Sequence, residues 1–286
     1  RFNDYEHVDK FVIIESCQTF SGKRKQFNFE KHKDRFKKFF KKIIYHKINE
    51  FHDSPENLYQ YLSSHRDSNK RFVYKILESH SFYNKKEICW VLDSYHRECI
   101  HLALRKFCNS DDLVIVSDLD EIPSKKVFKL ITKKSMPNLP LVCKQIEFKY
   151  FLNSFNNKEW LGSIIAPYSY LKTRSLNLMR KESYRFKKIN NAGYHFTSLG
   201  GEKLLKLKIE NWGHQEYNLD DIKNNLRKNL LSGRDVFYRL GTSRNKIIDI
   251  EKDNIFDIKI KKILLNYNQL VIKEIIKENL FELIYY

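Results

Sequence analysis

Glycine and proline are scarce in this chain, at 8 and 5 of 286 residues. No Ser/Gly-rich linker separates one part from another, which argues against modules on flexible tethers and for one compact unit. Cysteine is sparse too. Cys17, Cys89, Cys99, Cys108 and Cys143 form an odd set with no C-x-x-C pair, which argues against a zinc knuckle or a disulfide framework. No N-x-[ST] sequon occurs. Both absences point to a reducing, cytosolic-type compartment. No apolar run reaches the roughly 18 residues that span a bilayer, and no signal peptide opens the chain. It starts at RFNDYEHVDKF, without a methionine and close to its first strand, so an earlier N-terminal anchor stays open. Acids are few against bases, 35 to 53, giving a formal charge of +18. That excess suits nucleic acid, an anionic membrane surface or a phosphate-bearing substrate and selects none of them. A coding bias toward Lys, Ile, Asn, Phe and Tyr would give the same composition.

Apolar residues are plentiful: 42% of the chain, with 21 Phe and 17 Tyr. That supports one large domain, or one domain with a small appendage. VDKFVIIE, residues 8–15, reads as a strand running into a polar loop around Gly22. RFKKFFKK places basic and aromatic residues at helical spacing, and IIYHKI reads as a second strand. Residues 53–88 are polar and give no clear pattern. In WVLDSYHRECIHLALRKFC, residues 90–108, Leu92, Tyr95, Cys99, Leu102 and Ala103 share one face, which predicts an amphipathic helix. Cys89, Cys99 and Cys108 lie in or beside it and read as small buried hydrophobes. LVIVSD is a buried strand, with a helix expected over 124–134 and Ser124 as its N-cap. LVCKQIEFKYFL and pieces around 163–172 look strand-like. LDDIKNNLRKNLL reads as a helix closed by Gly233, and 257–286 as a helical tail. Strands alternating with helices predict an α/β fold with a mainly parallel sheet flanked by helices. Ligands then bind beyond the carboxyl ends of strands, where Glu15 and Asp118 both stand.

The segment LVIVSDLDEIPS, residues 113–124, runs four apolar residues into Asp118, Asp120 and Glu121. Two residues apart on a turning backbone puts Asp118 and Asp120 on one side. Paired carboxylates suit a hard divalent cation that shares its ligands with substrate phosphates. The alternative is a solvated turn in which Asp118 or Ser124 caps the next helix. Phosphatases of the haloacid dehalogenase class also place an aspartate-any-aspartate turn after a strand. They need Thr or Val where this chain has Ile122, and their strand belongs near the start of the domain.

VDKFVIIESCQTFSGKRKQFNF, DDLVIVSDLDEIP, NNAGYHF and KLKIENWGHQEYN stand in the order seen in glycosyltransferase family 17, the family of the bisecting β-1,4-N-acetylglucosaminyltransferase of N-glycans. The chain resembles that family from residue 1 to about residue 240, with residues 241–286 expected as a helical extension packed on it. The resemblance implies a GT-A-like fold, a nucleotide-sugar donor, a glycan acceptor, an inverting reaction and Mn2+ or Mg2+ as cofactor. It also implies that a short strand and helix precede residue 1. Asp120 would then coordinate the cation, with Asp118 as a ligand or at the ribose and His214 as a further ligand. Glu15 would reach the nucleoside, and Lys23 a phosphate. Glu121 would steady the turn or face the sugar, and His195 would bind the donor or lie buried as a core histidine. Glu216 is the preferred general base, with Asp235 and Glu147 as candidates. Tyr150, Phe151, Trp160 and Tyr168 could carry an acceptor sugar, or simply pack the core. Each of these polar side chains has a plain alternative as a solvated surface group.

Two other classes remain. A basic nucleic-acid-binding protein would use the positive charge and segments such as KKFFKK, although no known binding motif occurs and none is expected as a partner. An inactive transferase-like scaffold would have no need of intact aspartates. The charge also allows peripheral contact with a membrane. The compartment expected is cytoplasmic or membrane-surface, or a Golgi-type lumen if an N-terminal anchor has been removed.

Overall fold

The computed structural model describes residues 5–131 and 140–273. β1 (Phe11–Ser16) and β2 (Ile43–Ile48) pair in parallel from Phe11↔Ile43 to Ser16↔Ile48. A parallel pair needs a crossover, which here is α1 (Asn28–His32) followed by a 3-10 helix, Lys33–Lys42. The helical spacing of RFKKFFKK is therefore real, in the tighter helix type.

Residues 53–88, unpatterned in sequence, hold α2 (Pro55–Ser64) and α3 (Ser68–Ser79). Their caps were the local signal. Ser54 Oγ accepts from Asn57 N at 3.2 Å with Pro55 at the first position, and Asp67 Oδ1 accepts from Asn69 N at 2.8 Å. The helix expected over 90–108 is two, α4 (Ile88–Glu98) and α5 (Ile100–Phe107). Its predicted apolar face holds nonetheless. Leu92, Tyr95, Cys99 and Leu102 are buried with Ile48, Leu58, Leu62, Val73 and Leu77 in one core cluster.

β3 (Leu113–Val116), β4 (Glu121–Pro123), α6 (Lys125–Leu130), β5 (Leu141–Lys149) and β6 (Ser154–Pro167) follow. Ser124 takes the N-cap position of α6 without a side-chain cap bond; residues 132–134 of the expected helix lie outside the described residues. Then come α7 (Tyr168–Leu171), α8 (Leu176–Lys181), β7 (Lys187–Ile189), β8 (Gly193–Thr197) and α9 (Gly201–Ile209). The C-terminal part has α10 (Asp220–Asn224), α11 (Leu226–Leu231), β9 (Lys246–Ile247) and α12 (Ile258–Leu264). α10 and α11 divide the single helix expected there, and Gly233 closes the pair at φ +71°. The tail is helical through α12 and a 3-10 helix, Leu265–Leu270; residues 274–286 lie outside the described residues.

The large sheet runs in the order β3-β6-β5-β8-β4, with β7 also beside β5 and β9 beside β6. β5 is parallel to β7 and β8; β3–β6, β5–β6, β4–β8 and β6–β9 are antiparallel. The mainly parallel sheet expected from sequence is therefore corrected: this sheet is mixed and mostly antiparallel. β5 returns directly into the long β6 with no helix between them, and such a return forces antiparallel pairing.

The small sheet and the large one share packing. Val12 of β1 lies against a cluster of Leu104, Val116, Val142, Ile164 and Ala166. On the other side, Ile250, Phe256 and Leu264 cover Phe148, Tyr194 and Phe196. Among the described residues no helix is long and apolar enough to cross a membrane.

Candidate active site

β3 drives LVIV into Ser117–Glu121, and β4 leaves that turn at once. Glu121 N donates to Asp118 O at 3.1 Å, and Asp118 N donates to Glu121 Oε2 at 3.1 Å. β8 holds the exit of the turn, with Glu121 opposite His195 and Pro123 opposite Gly193. Phe196 N donates to Asp120 O at 2.9 Å. At Gly193, where φ is +122°, an added Cβ would stand 2.0 Å from Ile122 O, so only glycine lets the strands approach. The AGYHF segment is thus half of the scaffold beneath the acidic turn.

The repulsion among these carboxylates is answered by arginines. Asp118 pairs with Arg97 of α4 at 2.7 Å and with Arg180 of α8 at 2.9 Å. Burial would raise the Asp118 pKa, but Arg97 and Arg180 hold it down at about 2. Glu121 has no exposed surface. It accepts from Trp160 Nε1 at 2.8 Å, from Ser163 Oγ at 3.3 Å and from Arg180. Glu98, next to Arg97 and fully buried, fastens α8 in place. It accepts from Ser175 Oγ at 2.6 Å, Leu176 N at 3.1 Å and Asn177 N at 2.9 Å.

Asp120 opens a line of alternating charge. His195 Nε2 stands 3.5 Å from Asp120, and its Nδ1 3.5 Å from Glu147. Lys149 Nζ lies 3.2 Å from Glu147 and 3.9 Å from Asp235. Arg239 grips Asp235, its Nε at 3.1 Å from Oδ1. Burial works against a charged His195, yet Asp120 and Glu147 raise its pKa to about 9. The ring stacks on Trp160 with centroids 4.4 Å apart. Asp118, Asp120, Glu121 and His195 are therefore gathered into one site, and Glu147 joins them through His195.

Glu15, Lys23, His214 and Glu216 make their contacts with residues outside the turn. Glu15 at the end of β1 accepts from Asn28 N at 2.5 Å, Phe29 N at 3.0 Å, Tyr45 Oη at 2.8 Å and Lys25 Nζ at 3.2 Å, so it caps α1. Burial works to raise its pKa, and these donors more than offset that. Lys23 Nζ donates to Glu210 O at 3.3 Å. His214 and Glu216 form a pair, Nδ1 to Oε1 at 2.6 Å, with the imidazole against Trp90 and Trp212. Asp235 is the most enclosed of the proposed bases, its side chain 4% exposed against 51% for Glu216.

A model described as Glycosyltransferase family 17 matches residues 1–72 and 59–241. The chain belongs to glycosyltransferase family 17. Family membership supports a glycosyltransferase activity, with a sugar donor and a glycan acceptor. No curated protein and no solved structure matches the chain significantly.

Sequence reasoning missed several groups around the acidic turn of this family-17 chain. Asp93 and Arg97 lie four apart on the polar face of α4, a spacing visible in the sequence. The pKa of Asp93 is raised by burial, against the pull of Arg97. The Asp93 side of α4 also meets the His214 loop: a Cβ added at Gly213 would stand 3.7 Å from Asp93 Cβ. Lys208 of α9 donates to Ser198 Oγ at 3.0 Å and feels the charges of Asp120 and Asp118; burial lowers its pKa. Nothing local marks Arg180 or Lys208 in a chain so rich in bases.

The cation implied by the resemblance can be tested against these donors. The Asp120 side chain offers hard oxygen and is 36% exposed, while both Asp118 oxygens, on a side chain 34% exposed, already meet Arg97 and Arg180. Among the described residues no group of three or more His, Cys, Asp or Glu could hold a metal ion. The pair fits a cation that takes one or two carboxylates and completes its shell with substrate phosphate and water. It does not fit a closed structural site.

Proposed function

We propose that this protein is an inverting, cation-dependent glycosyltransferase that moves a sugar from a nucleotide-sugar donor to a glycan hydroxyl. The donor implied by the family resemblance is UDP-GlcNAc. The observation that carries the reading is the Asp118-Leu119-Asp120 turn, its two carboxylates partly open to solvent and backed by Arg97 and Arg180. Asp120 and Asp118 would hold Mn2+ or Mg2+, which when bound neutralises charge on a leaving diphosphate.

The remaining chemistry belongs to the chain. The acceptor oxygen bonds to the anomeric carbon as the carbon–oxygen bond to the diphosphate breaks, and the electron pair leaves with the diphosphate. One in-line displacement inverts the centre. Lys208, with Arg97 and Arg180 behind the turn, adds positive charge on the diphosphate side. Glu216 takes the acceptor proton, because it is half exposed while Asp235 is enclosed and gripped by Arg239. His214, bonded to Glu216 through Nδ1, orients that carboxylate. Trp90 and Trp212 flank the pair and offer flat faces to an acceptor sugar.

A panel of UDP- and GDP-sugars, with and without Mn2+, tests this by thermal shift on the wild type and Asp120→Ala. Saturation at about a hundred times Kd stabilises by about 2.7 kcal/mol, a shift of roughly 5–10 °C for a domain of this size. Mn2+-dependent stabilisation by one nucleotide sugar, lost in Asp120→Ala, is the expected result. No stabilisation by any member of the panel would refute the donor site.

A further inference from the structure

The 3-10 helix Lys33–Lys42 takes no part in the site described above. Its sequence KDRFKKFFKK puts six cations and one acid into ten residues, against 53 cations in 286 for the whole chain. Lys33, Arg35, Lys37, Lys38 and Lys41 are exposed. The single acid, Asp34, pairs with Lys37 at 3.4 Å, with both side chains more than 70% exposed. Lys10 joins the same face by donating to Lys41 O at 2.9 Å.

The rod is fixed to the body on its other side. Lys42 turns inward and donates to Val8 O at 2.8 Å and Glu6 O at 3.2 Å. Phe36 stacks on Phe29 with centroids 5.5 Å apart, and Phe29 packs on Tyr45 of β2 at 4.8 Å. Phe39 is half-buried. Phe40 is the large apolar side chain left outside, 44% exposed among the lysines.

We propose that this ridge docks the protein on an anionic membrane surface, with Phe40 entering the headgroup boundary and the cations meeting lipid phosphates and carboxylates. A basic face with a protruding aromatic ring is the pattern that binds in the interfacial plane. Single-stranded nucleic acid is the other polyanion to weigh. It needs successive open aromatic faces for its bases, whereas Phe36 stacks on Phe29 and Lys38 Nζ covers the Phe39 ring, 4.8 Å from its centroid. The proposal stands independently of the transferase reading, because none of these residues touches the acidic turn.

Co-sedimentation with phosphatidylcholine vesicles, with and without phosphatidylserine, tests it on the whole chain. The expected result is binding that requires phosphatidylserine and falls with salt. Lys37→Gln, Lys38→Gln and Lys41→Gln together lower the partition coefficient about a hundredfold, at about fivefold per charge. Phe40→Ser lowers it roughly several-fold and leaves the salt dependence unchanged. A control triple with the same net charge, Lys126→Gln, Lys129→Gln and Lys252→Gln, keeps the binding. All these residues are exposed, so each variant keeps the wild-type melting temperature. No phosphatidylserine-dependent binding would overturn the proposal, as would equal losses in the two triples. So would binding of a single-stranded oligonucleotide that the ridge triple abolishes while vesicles go unbound.

Discussion

Replacing Glu98 by Ala should cost more stability than any surface change in this protein. Glu98 is fully buried, and its two oxygens accept from Ser175 Oγ, Leu176 N and Asn177 N. Alanine strands two backbone N–H groups at the start of α8, each worth about 1–3 kcal/mol when buried and unpaired. It also leaves a void against His80 and His101, which stand 3.7 and 3.6 Å from the carboxylate. The sum is about 3–6 kcal/mol, or roughly 6–24 °C in melting temperature at about 2–4 °C per kcal/mol. Glu98→Gln keeps one acceptor and should cost about half as much. Differential scanning calorimetry on the two variants measures both. The consequence reaches the site because α8 carries Arg180, which pairs with Asp118 and Glu121. A Glu98→Ala protein that melts within about 1 °C of wild type would refute the claim that this carboxylate locks α8 against α4.

Three further outcomes follow from the same geometry. Arg180→Ala leaves Glu121 buried without its cation and should destabilise by about 3–5 kcal/mol, as measured by urea unfolding; a loss below about 1 kcal/mol would show that the pair is solvated. Gly193→Ala forces a Cβ into Ile122 O at a φ of +122°, so β4 must move and nucleotide-sugar binding should drop at least about tenfold; unchanged affinity would mean that the turn does not depend on β8. His195 has its pKa raised to about 9, above the ordinary value of about 6.5, so its contribution is complete below the lower value and is lost as pH rises through the upper one. In cation-free protein the wild type should therefore lose up to about 3 kcal/mol relative to His195→Gln on going from neutral to strongly alkaline pH; a difference that is flat with pH would contradict that.

The acidic turn could be found in the sequence because the strand that enters it is local, although the strand that braces it, β8, lies far down the chain. An apolar four-residue strand, of which Val116 is the buried member, runs into three acids, and the glycine and histidine that brace the turn stand in AGYHF. The apolar face of α4 and α5 was equally legible, since periodicity survives the break at Cys99. The direction of the sheet was not. β6 begins in the polar stretch SFNNKEW, which hides the first half of a 14-residue strand, so the direct return from β5 to β6 could not be seen. The arginines that neutralise Asp118 were hidden for different reasons. Arg97 sits beside Asp93 on the face of α4 opposite its apolar periodicity, which carries the sequence signal. Arg180 lies more than fifty residues from the turn, and buried bonds such as those from α8 to Glu98 and from Asn177 to Ser94 bring it back. The chain's surplus of lysine and arginine also conceals which cations matter, because composition gives Lys208 no more weight than any solvated lysine.

The central claim is that the turn at Asp118 and Asp120 is the donor site of a working transferase. The most direct measurement is release of nucleoside diphosphate from the nucleotide sugar that stabilises the protein, with Mn2+ and with chelator, in wild type and Asp120→Ala over a panel of glycan acceptors. Release that requires Mn2+ and an acceptor, and that falls at least about a thousandfold in a folded Asp120→Ala protein, is the predicted result. Release at the wild-type rate in that variant would contradict the account and leave the acidic turn as scaffold.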